Sequence, residues 1–428
     1  MRPLLLLACA AAAAITDAAK VDTIITSVTS DGYVFVRVDA GGHSGWGQAS
    51  YNNEHADLQD VIGAKVHEWV GPQVLGQEFT SPADIDAFAQ GTWDQIYKHT
   101  GDVLAQALAG VDTALWDLVA RSQNASVCTL IAREFNTTCK TRVSVYGSNG
   151  DRRKKPKDIV ANAVHNRDTY GVQAFKFQIA NRLGAHTGHD IDIKPGRTEA
   201  LIPLARQMLG PDVMLMVDAN GGFDNVTHAT CIGELLVAHN YTWFEEPFPF
   251  WRYEDTTELM RAVPGLAVAL GEQEYRLDVW SRNVGASMRY AQPDIHYVGG
   301  LSRALRVARM TIAAGVTFVP HSPNPSMLDV FALHLMASVP NAFGHMEFDA
   351  VNTRHPPSGT AFFVEPVYAL EDGQMRVPLG PGWGVTLKPG LLANATNQTS
   401  TDDDRPGAQA AGRLRRRRMI WEEDVREG

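Results

Sequence analysis

The 428-residue sequence predicts an α/β protein, a parallel (β/α)8-type barrel preceded by an α+β domain. Two observations support this prediction. From residue 141 onward, eight short apolar runs alternate with segments whose apolar residues recur at every third or fourth position, the period of an α-helix. Six of these runs also carry an acidic residue or a histidine near their C-terminal end. Repeated strand–helix alternation is typical of a parallel barrel, because each crossover helix covers one strand.

The eight apolar runs are the candidate strands of the barrel, which we place over residues 141–347. They are VSVYG (143–147), AFKFQIA (174–180), VMLMVDAN (213–220), TWFEEP (242–247), LAVALGEQE (266–274), MRYAQPDI (288–295), VTFVPH (316–321) and GHMEF (344–348). Two segments between them, 196–210 and 301–315, have clear helical periodicity. Gly210 and Gly315 close these segments, at the position where glycine commonly ends a helix.

The region before the barrel, residues 20–140, predicts a separate α+β domain. Residues 21–28 and 33–49 have the pattern of paired strands, with a turn at Asp31-Gly32 between them. Residues 101–120 have the apolar pattern of a helix. A mixture of paired strands and separate helices is the expected composition of an α+β domain.

The two ends of the chain differ from the rest. The first 19 residues contain one early positive charge, a 12-residue apolar run and then small residues, the pattern of a secretory signal peptide. This run is too short to span a membrane, and we expect no membrane span after its removal. Residues 393–428 are polar and are predicted to be a disordered tail. We therefore expect a secreted or secretory-pathway protein, or a periplasmic one in a bacterium.

Composition narrows the possible partners and the redox chemistry. Six N-x-[ST] sequons follow the leader and predict a glycoprotein; they begin at Asn124, Asn136, Asn225, Asn240, Asn394 and Asn397. Only three cysteines remain after the leader, so a disulfide scaffold is excluded, but Cys128 and Cys139 could pair across a short loop. The net charge of −10 argues against nucleic acid as a partner.

Polar residues at the ends of the apolar runs follow one another at the period of a strand–helix unit. They are Asp218, Glu245, Glu272, Asp294, His321 and Glu347, separated by 27, 27, 22, 27 and 26 residues, with Lys176 42 residues before the first. The C-terminal ends of barrel strands meet on one face, where active sites lie. Three carboxylates meeting there would repel one another, and a divalent cation relieves this repulsion. Oxygen ligands predict Mg²⁺ rather than zinc.

Strand-end motifs of this sequence resemble those of the enolase superfamily, and within it the mandelate racemase-like branch that contains acid-sugar dehydratases. The motifs are VDAN (217–220), FEEP (244–247), GEQ (271–273), QPDI…GG (292–300) and PHSPN (320–324), in the family's order and spacing. The resemblance covers roughly residues 21–390 and implies a modified TIM barrel. It also implies that the α+β domain caps the barrel mouth and that residues 348–392 return to this cap.

The resemblance also assigns roles to the strand-end residues. The acids Asp218, Glu245 and Glu272 would bind Mg²⁺. A second group, Asp294 and His321, would form a hydrogen-bonded dyad. The resemblance further implies that Glu347, as a protonated acid, would donate a hydrogen bond to the substrate carboxylate or to the enediolate.

The second barrel strand departs from the racemase pattern. Racemases of this branch have a second lysine two residues after the one that matches Lys176, and it serves as a base on the opposite face of the substrate. Gln178 occupies that position here, and a neutral amide cannot accept a proton. A single base, His321, favours elimination: it removes the proton next to the carboxylate, the 3-hydroxyl leaves, and a 2-keto-3-deoxy acid forms.

We therefore predict Mg²⁺-dependent dehydration of a small sugar acid, an aldonate or an aldarate, by a homo-oligomeric enzyme. Lys176 would bind the substrate carboxylate, and the candidate substrate-binding residues are Gln178, Asn220, Tyr146 and Trp251. Two alternatives stay open at this point. One is racemisation, epimerisation or cycloisomerisation at the same site. The other is a secreted, non-catalytic binding protein on the same fold.

Overall fold

The computed structural model describes residues 20–50, 56–149, 151–185, 188, 191–348 and 362–404. The predicted signal peptide and the residues from 405 onward lie outside these ranges. The described part divides into an N-terminal α+β domain, a barrel and a C-terminal segment that contacts both.

A four-stranded antiparallel sheet forms the base of the N-terminal domain. Its strands are β1 (Val21–Val28), β2 (Val34–Ala40), β3 (His43–Ser50) and β14 (Thr396–Thr401), in the order β14-β1-β2-β3. The helices that cover it are α1 (Ala56–Lys65), α2 (Gly71–Val74), α3 (Pro82–Gln95), α4 (Asp102–Ser122) and α5 (Val127–Phe135). A π-helical turn, Val66–Val70, joins the first two helices, and a 3₁₀ turn, Tyr97–His99, follows the third.

Helix α4 is the buried centre of this domain. It crosses β3 so closely that a Cβ atom on Gly47 would lie 2.3 Å from the carbonyl oxygen of Gly110. Only glycine permits this approach, which explains the glycine-rich sequence of β3. Helix α4 is long and apolar enough to cross a membrane, but 94% of its most apolar stretch is buried inside the protein. Packing in the domain therefore accounts for its apolar character.

The barrel confirms the predicted fold class. Its parallel strands are β4 (Arg142–Asn149), β5 (Ala174–Gln178), β6 (Met214–Asp218), β7 (Trp243–Glu245), β8 (Val268–Leu270), β9 (Tyr290–Ala291), β10 (Thr317–Phe318) and β11 (His345–Phe348). Each one lies within one of the eight predicted runs or overlaps it. Neighbours along the chain pair in order from β4 to β10, and β11 pairs with β4. A bridge from Phe318 to Ala342 completes the ring.

Helices surround the barrel strands. They are α6 (Pro156–Tyr170), α7 (Arg197–Leu209), α8 (Val226–Ala238), α9 (Tyr253–Ala262), α10 (Leu277–Asn283), α11 (Ile295–Val298), α12 (Leu301–Ala314) and α13 (Met327–Ser338). Gly210 and Gly315 follow α7 and α12 with positive φ angles of 90° and 66°, as the sequence predicted. A layer of buried side chains, including Tyr146, Met216 and Trp243, fills the barrel interior.

The C-terminal segment connects the barrel to the N-terminal domain. A short hairpin of β12 (Leu370–Glu371) and β13 (Gln374–Arg376) pairs with β4. Beyond it, the indole of Trp383 donates a hydrogen bond to the carbonyl oxygen of Trp46 at 3.1 Å, and its backbone N–H donates to Asp117 at 2.7 Å. The chain therefore returns from the barrel to β3 and α4.

Strand β14 corrects the predicted extent of the disordered tail. Residues 396–401 lie in the region predicted to be disordered, yet they pair with β1 along its length. The side chain of Asn397 accepts a hydrogen bond from Ser27 at 2.6 Å. The prediction was wrong here because a short strand made only of polar residues has no apolar face to reveal it, and backbone pairing to an existing sheet edge supplies its stability.

Four of the sequon asparagines have a backbone role. Asn124, Asn136 and Asn240 have φ angles of 48°, 53° and 53°, a left-handed conformation that asparagine tolerates better than most residues. Asn225 begins α8, and its side chain accepts the backbone N–H of His228 at 3.0 Å. These backbone roles account for the asparagines themselves, and glycosylation stays a prediction.

Cys128 and Cys139 form a disulfide, with a Cα–Cα distance of 6.0 Å. The bond ties α5 to the segment that leads into the first barrel strand. Cys231, on α8, is free and exposed.

Candidate active site

Strand register brings the predicted residues together at one end of the barrel. Gln178 is paired with Asp218 on the next strand, and Asp218 with Glu245 on the strand after that. Because side chains alternate along a strand, Lys176 shares the face of Gln178. These four side chains therefore lie on one face of three neighbouring strands.

Lys176 joins two carboxylates across this face. Its Nζ atom lies 2.6 Å from Oε1 of Glu245 and 2.8 Å from Oε1 of Glu347, and all three side chains are buried. Burial acts to lower the pKa of Lys176, but the two carboxylates outweigh it and raise this pKa well above its usual value. Lys176 is therefore held as an ammonium ion, which can bind an anion but is not poised to accept a proton.

His321 and Asp294 form the predicted dyad. The Nδ1 atom of His321 lies 2.9 Å from Oδ2 of Asp294, and the other oxygen of Asp294 accepts the backbone N–H groups of His296 and Tyr297 at 2.8 and 3.3 Å. Because a carboxylate oxygen accepts hydrogen bonds, Nδ1 of His321 carries the hydrogen in this contact. The Nε2 atom lies on the opposite side of the ring, 3.4 Å from Oε2 of Glu272.

Neighbouring acids control the charge of His321. Burial acts to lower its pKa, but Glu272, Asp294 and Glu347 together raise the pKa to about 10. Without a bound cation to offset these charges, His321 is therefore protonated at neutral pH.

Glu347 lies among groups that lower its pKa. Burial acts to raise its pKa, but Lys176 and His321 lower the pKa well below its usual range. The backbone N–H of Ser322 also donates to its Oε2 atom at 3.1 Å. In this structure Glu347 accepts hydrogen bonds from Lys176 and from the backbone of Ser322. Its role as a protonated donor to a bound substrate stays a prediction.

Each of the three predicted metal ligands is held by protein partners. Glu245 accepts hydrogen bonds from Trp243 at 2.9 Å and Gln292 at 2.8 Å, in addition to Lys176. Glu272 accepts one from Gln273 at 2.6 Å, and Asp218 accepts the backbone N–H of Asn220 at 2.8 Å. Among the described residues, no three acidic, histidine or cysteine side chains are gathered into a complete ligand cluster.

The three carboxylates nevertheless have the chemistry that a hard divalent cation requires. Burial, with Asp218, Glu347 and Glu272, raises the pKa of Glu245 to about 8 even though Lys176 lies beside it. Burial and Asp218 likewise raise the pKa of Glu272, although His321 opposes them. Mutual repulsion among oxygen donors is the condition that a cation relieves. This charge pattern supports the assignment of the three acids as Mg²⁺ ligands, which stays a prediction.

Two of the predicted substrate-binding residues, Gln178 and Asn220, are joined by a third residue. The Nη1 atom of Arg152 donates to Oε1 of Gln178 at 2.8 Å, and its Nη2 atom donates to Oδ1 of Asn220. All three residues are partly exposed. They therefore form a polar wall beside the predicted metal ligands.

The other two candidates lie elsewhere. Tyr146 is fully buried, with its ring centroid 5.7 Å from Nζ of Lys176 and 5.5 Å from the ring of Trp243. It supports Lys176 from within the barrel, and direct contact with a substrate stays a prediction. Trp251 is 49% exposed in the loop after β7, with its ring 5.2 Å from that of Phe250. Its substrate contact also stays a prediction.

Sequence reasoning missed Trp243, Gln292 and Arg152. Trp243 and Gln292 precede Glu245 and Asp294 by two positions, so strand alternation could have placed them on the site face. Arg152 belongs to the run DRRKK, which has the composition of an exposed basic loop and gives no signal of a site residue.

Sequence comparison places most of the chain in one family. Residues 158–391 match the family described as enolase C-terminal domain-like, and residues 9–132 match the mandelate racemase / muconate lactonizing enzyme N-terminal domain. D-galactarolactone cycloisomerase of Agrobacterium fabrum is 29% identical over 291 residues, 66% of this chain and 71% of its own. D-galactonate dehydratase of Verminephrobacter eiseniae is 27% identical over 378 residues, 87% of this chain and 93% of its own.

Solved structures agree with this placement. A crystal structure from Roseobacter denitrificans, described as a proposed racemase, is 35% identical with a TM-score of 0.80, covering 89% of this chain and all of its own. L-talarate dehydratase from Polaromonas sp. JS666, complexed with Mg and L-glucarate, shares the fold at 22% identity and a TM-score of 0.72, covering 90% of this chain and 99% of its own. The chain therefore belongs to the mandelate racemase / muconate lactonizing enzyme family of the enolase superfamily, and it is an enzyme of that group.

Proposed function

We propose that this enzyme dehydrates a sugar acid, an aldonate or an aldarate, to a 2-keto-3-deoxy acid. The asymmetry of the site carries the proposal. His321, which follows β10 and is oriented by Asp294, can accept a proton. Strand β5, three strands away around the ring, carries the neutral Gln178 and its partner, the cationic Arg152. Relatives named as galactonate and arabinonate dehydratases support the same class of reaction.

Substrate binding begins with the carboxylate. The Lys176 ammonium group can pair with it, since a substrate oxygen can replace one of the two glutamate oxygens within 3 Å of Nζ. This contact places the α-carbon between His321 and Gln178. The orientation matters because proton transfer requires the base to lie within hydrogen-bonding distance.

Elimination then needs one proton acceptor. Nε2 of neutral His321 removes the proton from the α-carbon, and the electron pair of that bond moves into the carboxylate to give an enediolate. The electron pair returns to form the double bond between carbons 2 and 3, and the carbon–oxygen bond at carbon 3 breaks. The imidazolium gives its proton to the departing hydroxide, so water leaves and the enol tautomerises to the 2-keto acid.

Asp294 makes this proton transfer possible. It fixes the ring so that Nε2 is the nitrogen directed at the site, and it stabilises the imidazolium that forms. A divalent cation held by Asp218, Glu245 and Glu272 would stabilise the charge that develops on the substrate carboxylate and would offset the acid charges that keep His321 protonated.

The rival reactions at this site are racemisation and cycloisomerisation. A cycloisomerase is among the relatives, so reaction outcome distinguishes the proposals better than similarity does. Racemisation requires a second proton acceptor opposite His321, and Gln178 does not provide one.

The proposal can be tested by screening aldonates and aldarates with the Mg²⁺-loaded enzyme in D₂O and measuring 2-keto-acid formation. We expect a 2-keto-3-deoxy acid from at least one substrate. Recovery of unchanged-length substrate with inverted configuration and deuterium at the α-carbon would favour racemisation instead. Formation or opening of a lactone without loss of water would favour cycloisomerisation.

We further propose that the enzyme works in the secretory pathway or outside the cell, or in the periplasm if the source is bacterial. The predicted signal peptide supports this, and so does the Cys128–Cys139 disulfide, because such bonds persist mainly in oxidising compartments. Mass spectrometry of the protein secreted by its natural host should show a chain that begins after the leader. Retention of the intact leader in a cytosolic protein would contradict the proposal.

A further inference from the structure

Arg152 is a site residue that the proposed reaction does not use. It lies in the loop between β4 and α6, and its side chain is partly buried. Its guanidinium donates to Oε1 of Gln178 at 2.8 Å, to Oδ1 of Asn220, and to the carbonyl oxygen of Ile179 at 3.2 Å. All three acceptors are neutral, so these bonds orient the guanidinium without neutralising its charge.

Unlike Arg152, the next two cations in the same loop each have a carboxylate partner. Arg153 lies 3.2 Å from the carboxylate of Asp151, and Lys154 lies 4.0 Å from it. Within the described ranges, no carboxylate forms a comparable ion pair with Arg152. A cation withdrawn from water without an anionic partner is unfavourable, so the arrangement is suited to an anion that arrives with a ligand.

Arg152 and Lys176 also differ in their carboxylate partners. Glu245 and Glu347 both lie within 3 Å of Lys176, whereas no described carboxylate lies within ion-pair distance of Arg152. Burial lowers the pKa of Arg152, and the more distant Asp218 and Glu272 act against this. Those two acids are predicted metal ligands, so a bound cation would occupy them. Arg152 is therefore available to form an ion pair with a substrate anion at the mouth of the barrel.

The bonds to Arg152 also fix the two amide side chains. A guanidinium only donates, so the oxygens of Gln178 and Asn220 turn toward it and their NH₂ groups turn away. Together with Arg152 these groups form a wall that donates hydrogen bonds. Such a wall suits an oxygen-rich, anionic group.

The two cations lie at different levels along strand β5. Lys176 and Gln178 are two residues apart on β5, which corresponds to about 7 Å along a strand. Arg152 contacts the Gln178 end of this strand. Arg152 and Lys176 are therefore separate cations, and each is able to pair with one end of a short sugar diacid.

We propose that Arg152 is a specificity-determining residue that binds a second carboxylate, so that the enzyme's substrates are aldarates rather than aldonates. This inference rests on the proposed sugar-acid reaction, because it assumes that Lys176 binds the first carboxylate. It narrows the substrate class without altering the chemistry at His321.

Matched substrate pairs test this inference. kcat/KM is measured for galactarate against galactonate and for glucarate against gluconate, with Mg²⁺-loaded wild type, Arg152→Met, Arg152→Lys and the control Arg153→Met. We expect wild type to prefer the diacid of the active pair. Because Arg152→Met removes the proposed partner of the second carboxylate, we expect it to lower kcat/KM for the diacid by at least about 30-fold, with a much smaller loss for the monoacid.

The two other variants separate charge from geometry and from loop effects. Arg152→Lys keeps the charge without the fork, so we expect partial recovery of the diacid preference. Arg153→Met should behave as wild type, because its side chain is 81% exposed and faces Asp151. Equal losses for diacid and monoacid in Arg152→Met, or a wild-type preference for the monoacid, would overturn the inference.

Direct binding distinguishes failure of this inference from failure of the proposed reaction. Isothermal titration of galactarate and glucarate into Mg²⁺-loaded His321→Ala, with and without Arg152→Met, requires no turnover. Diacid binding that depends on Arg152 would support the inference even if the chemistry were different. Turnover of sugar acids by wild type, with diacid binding independent of Arg152, would refute the inference and leave the dehydratase proposal intact.

Discussion

Oδ2 of Asp294 lies 2.9 Å from Nδ1 of His321, so Nε2 is the ring nitrogen directed at Glu272 and the other predicted metal ligands. The second oxygen of Asp294 is fixed by backbone N–H groups at the start of α11. The orientation of the base is therefore set by a helix terminus, which makes the dyad sensitive to the identity of Asp294.

Asp294→Asn should retain the helix contacts but reverse the hydrogen bond to His321. The amide NH₂ would donate to Nδ1, which places the hydrogen on Nε2 and prevents it from accepting a proton. We expect kcat to fall by about 100-fold or more, with little change in the melting temperature. Steady-state kinetics with thermal unfolding as the control would check this. Near-normal kcat in the folded variant would argue against an oriented base.

Asp218→Asn should weaken Mg²⁺ binding, because an amide replaces one of three predicted carboxylate ligands. We expect the affinity measured by calorimetry to fall by more than about 100-fold. Asp224→Asn is a matched control, since Asp224 is an exposed acid in the loop that follows β6. Equal Mg²⁺ affinity in wild type and Asp218→Asn would remove Asp218 from the ligand set.

Lys176→Met should destabilise the protein, because it leaves the buried carboxylates of Glu245 and Glu347 without their shared cation. Removal of one partner from a buried ion pair typically costs about 3–5 kcal/mol. Chemical denaturation would measure this cost. The double variant Lys176→Met/Glu347→Gln should recover part of the stability without recovering activity. A single variant as stable as wild type would show that the cluster does not require Lys176.

The fold was largely predictable from sequence, and the contacts that set charges were not. Strand ends are visible because apolar runs stop at Asp218, Glu245 and His321, and the run period gives the barrel. Whether Glu347 is charged depends on Lys176 and Ser322, which are 171 and 25 residues away along the chain. Only the closed barrel brings these groups together, so no local pattern records their contact.

The positions of Arg152 and β14 could not be predicted from sequence either, because both lie in polar segments. A basic loop and a polar strand carry no apolar periodicity, and sequence patterns assign both to solvent. Their actual positions depend on partners distant in the chain, Gln178 for Arg152 and β1 for β14.

Asp112 should make stability depend on pH. This buried residue of α4 accepts the backbone N–H of Ser302 at 3.1 Å, at the start of α12, and burial raises its pKa from 3.8 to about 7. The folded protein therefore binds a proton that the unfolded chain releases between pH 4 and 7. Its contribution to stability is present at low pH and is lost as the pH rises toward 7.

Asp112→Asn should remove this dependence. When the pH is raised from 5 to 8, the free energy of unfolding should fall in both proteins or stay constant in the variant. The fall should be roughly 3 kcal/mol larger in wild type than in Asp112→Asn. Urea unfolding at both pH values would measure the difference, with the exposed acid Asp212 as an Asp212→Asn control. Parallel pH profiles for wild type and Asp112→Asn would show that Asp112 is ionised in the folded state throughout.

The disulfide should contribute to stability by restricting the unfolded chain. Cys128 and Cys139 are 11 positions apart in the sequence. Closing a loop of this length in the unfolded chain should raise the free energy of unfolding by about 3 kcal/mol. Cys128→Ser/Cys139→Ser should therefore lower the melting temperature, and reducing agent should have no further effect on it. Cys231→Ser is the control and should melt as wild type does. An unchanged melting temperature in the double variant would show that the bond does not form in solution.

We propose that His321 alone removes the substrate proton during the dehydration. This proposal is tested most directly by measuring 2-keto-acid formation from the best sugar-acid substrate, at saturating Mg²⁺, with wild type and His321→Ala. We expect steady product formation by wild type. The rate of product formation should fall by at least about 100-fold in His321→Ala, while its Mg²⁺ affinity is retained. Substantial product formation by the folded His321→Ala variant would show that another group removes the proton.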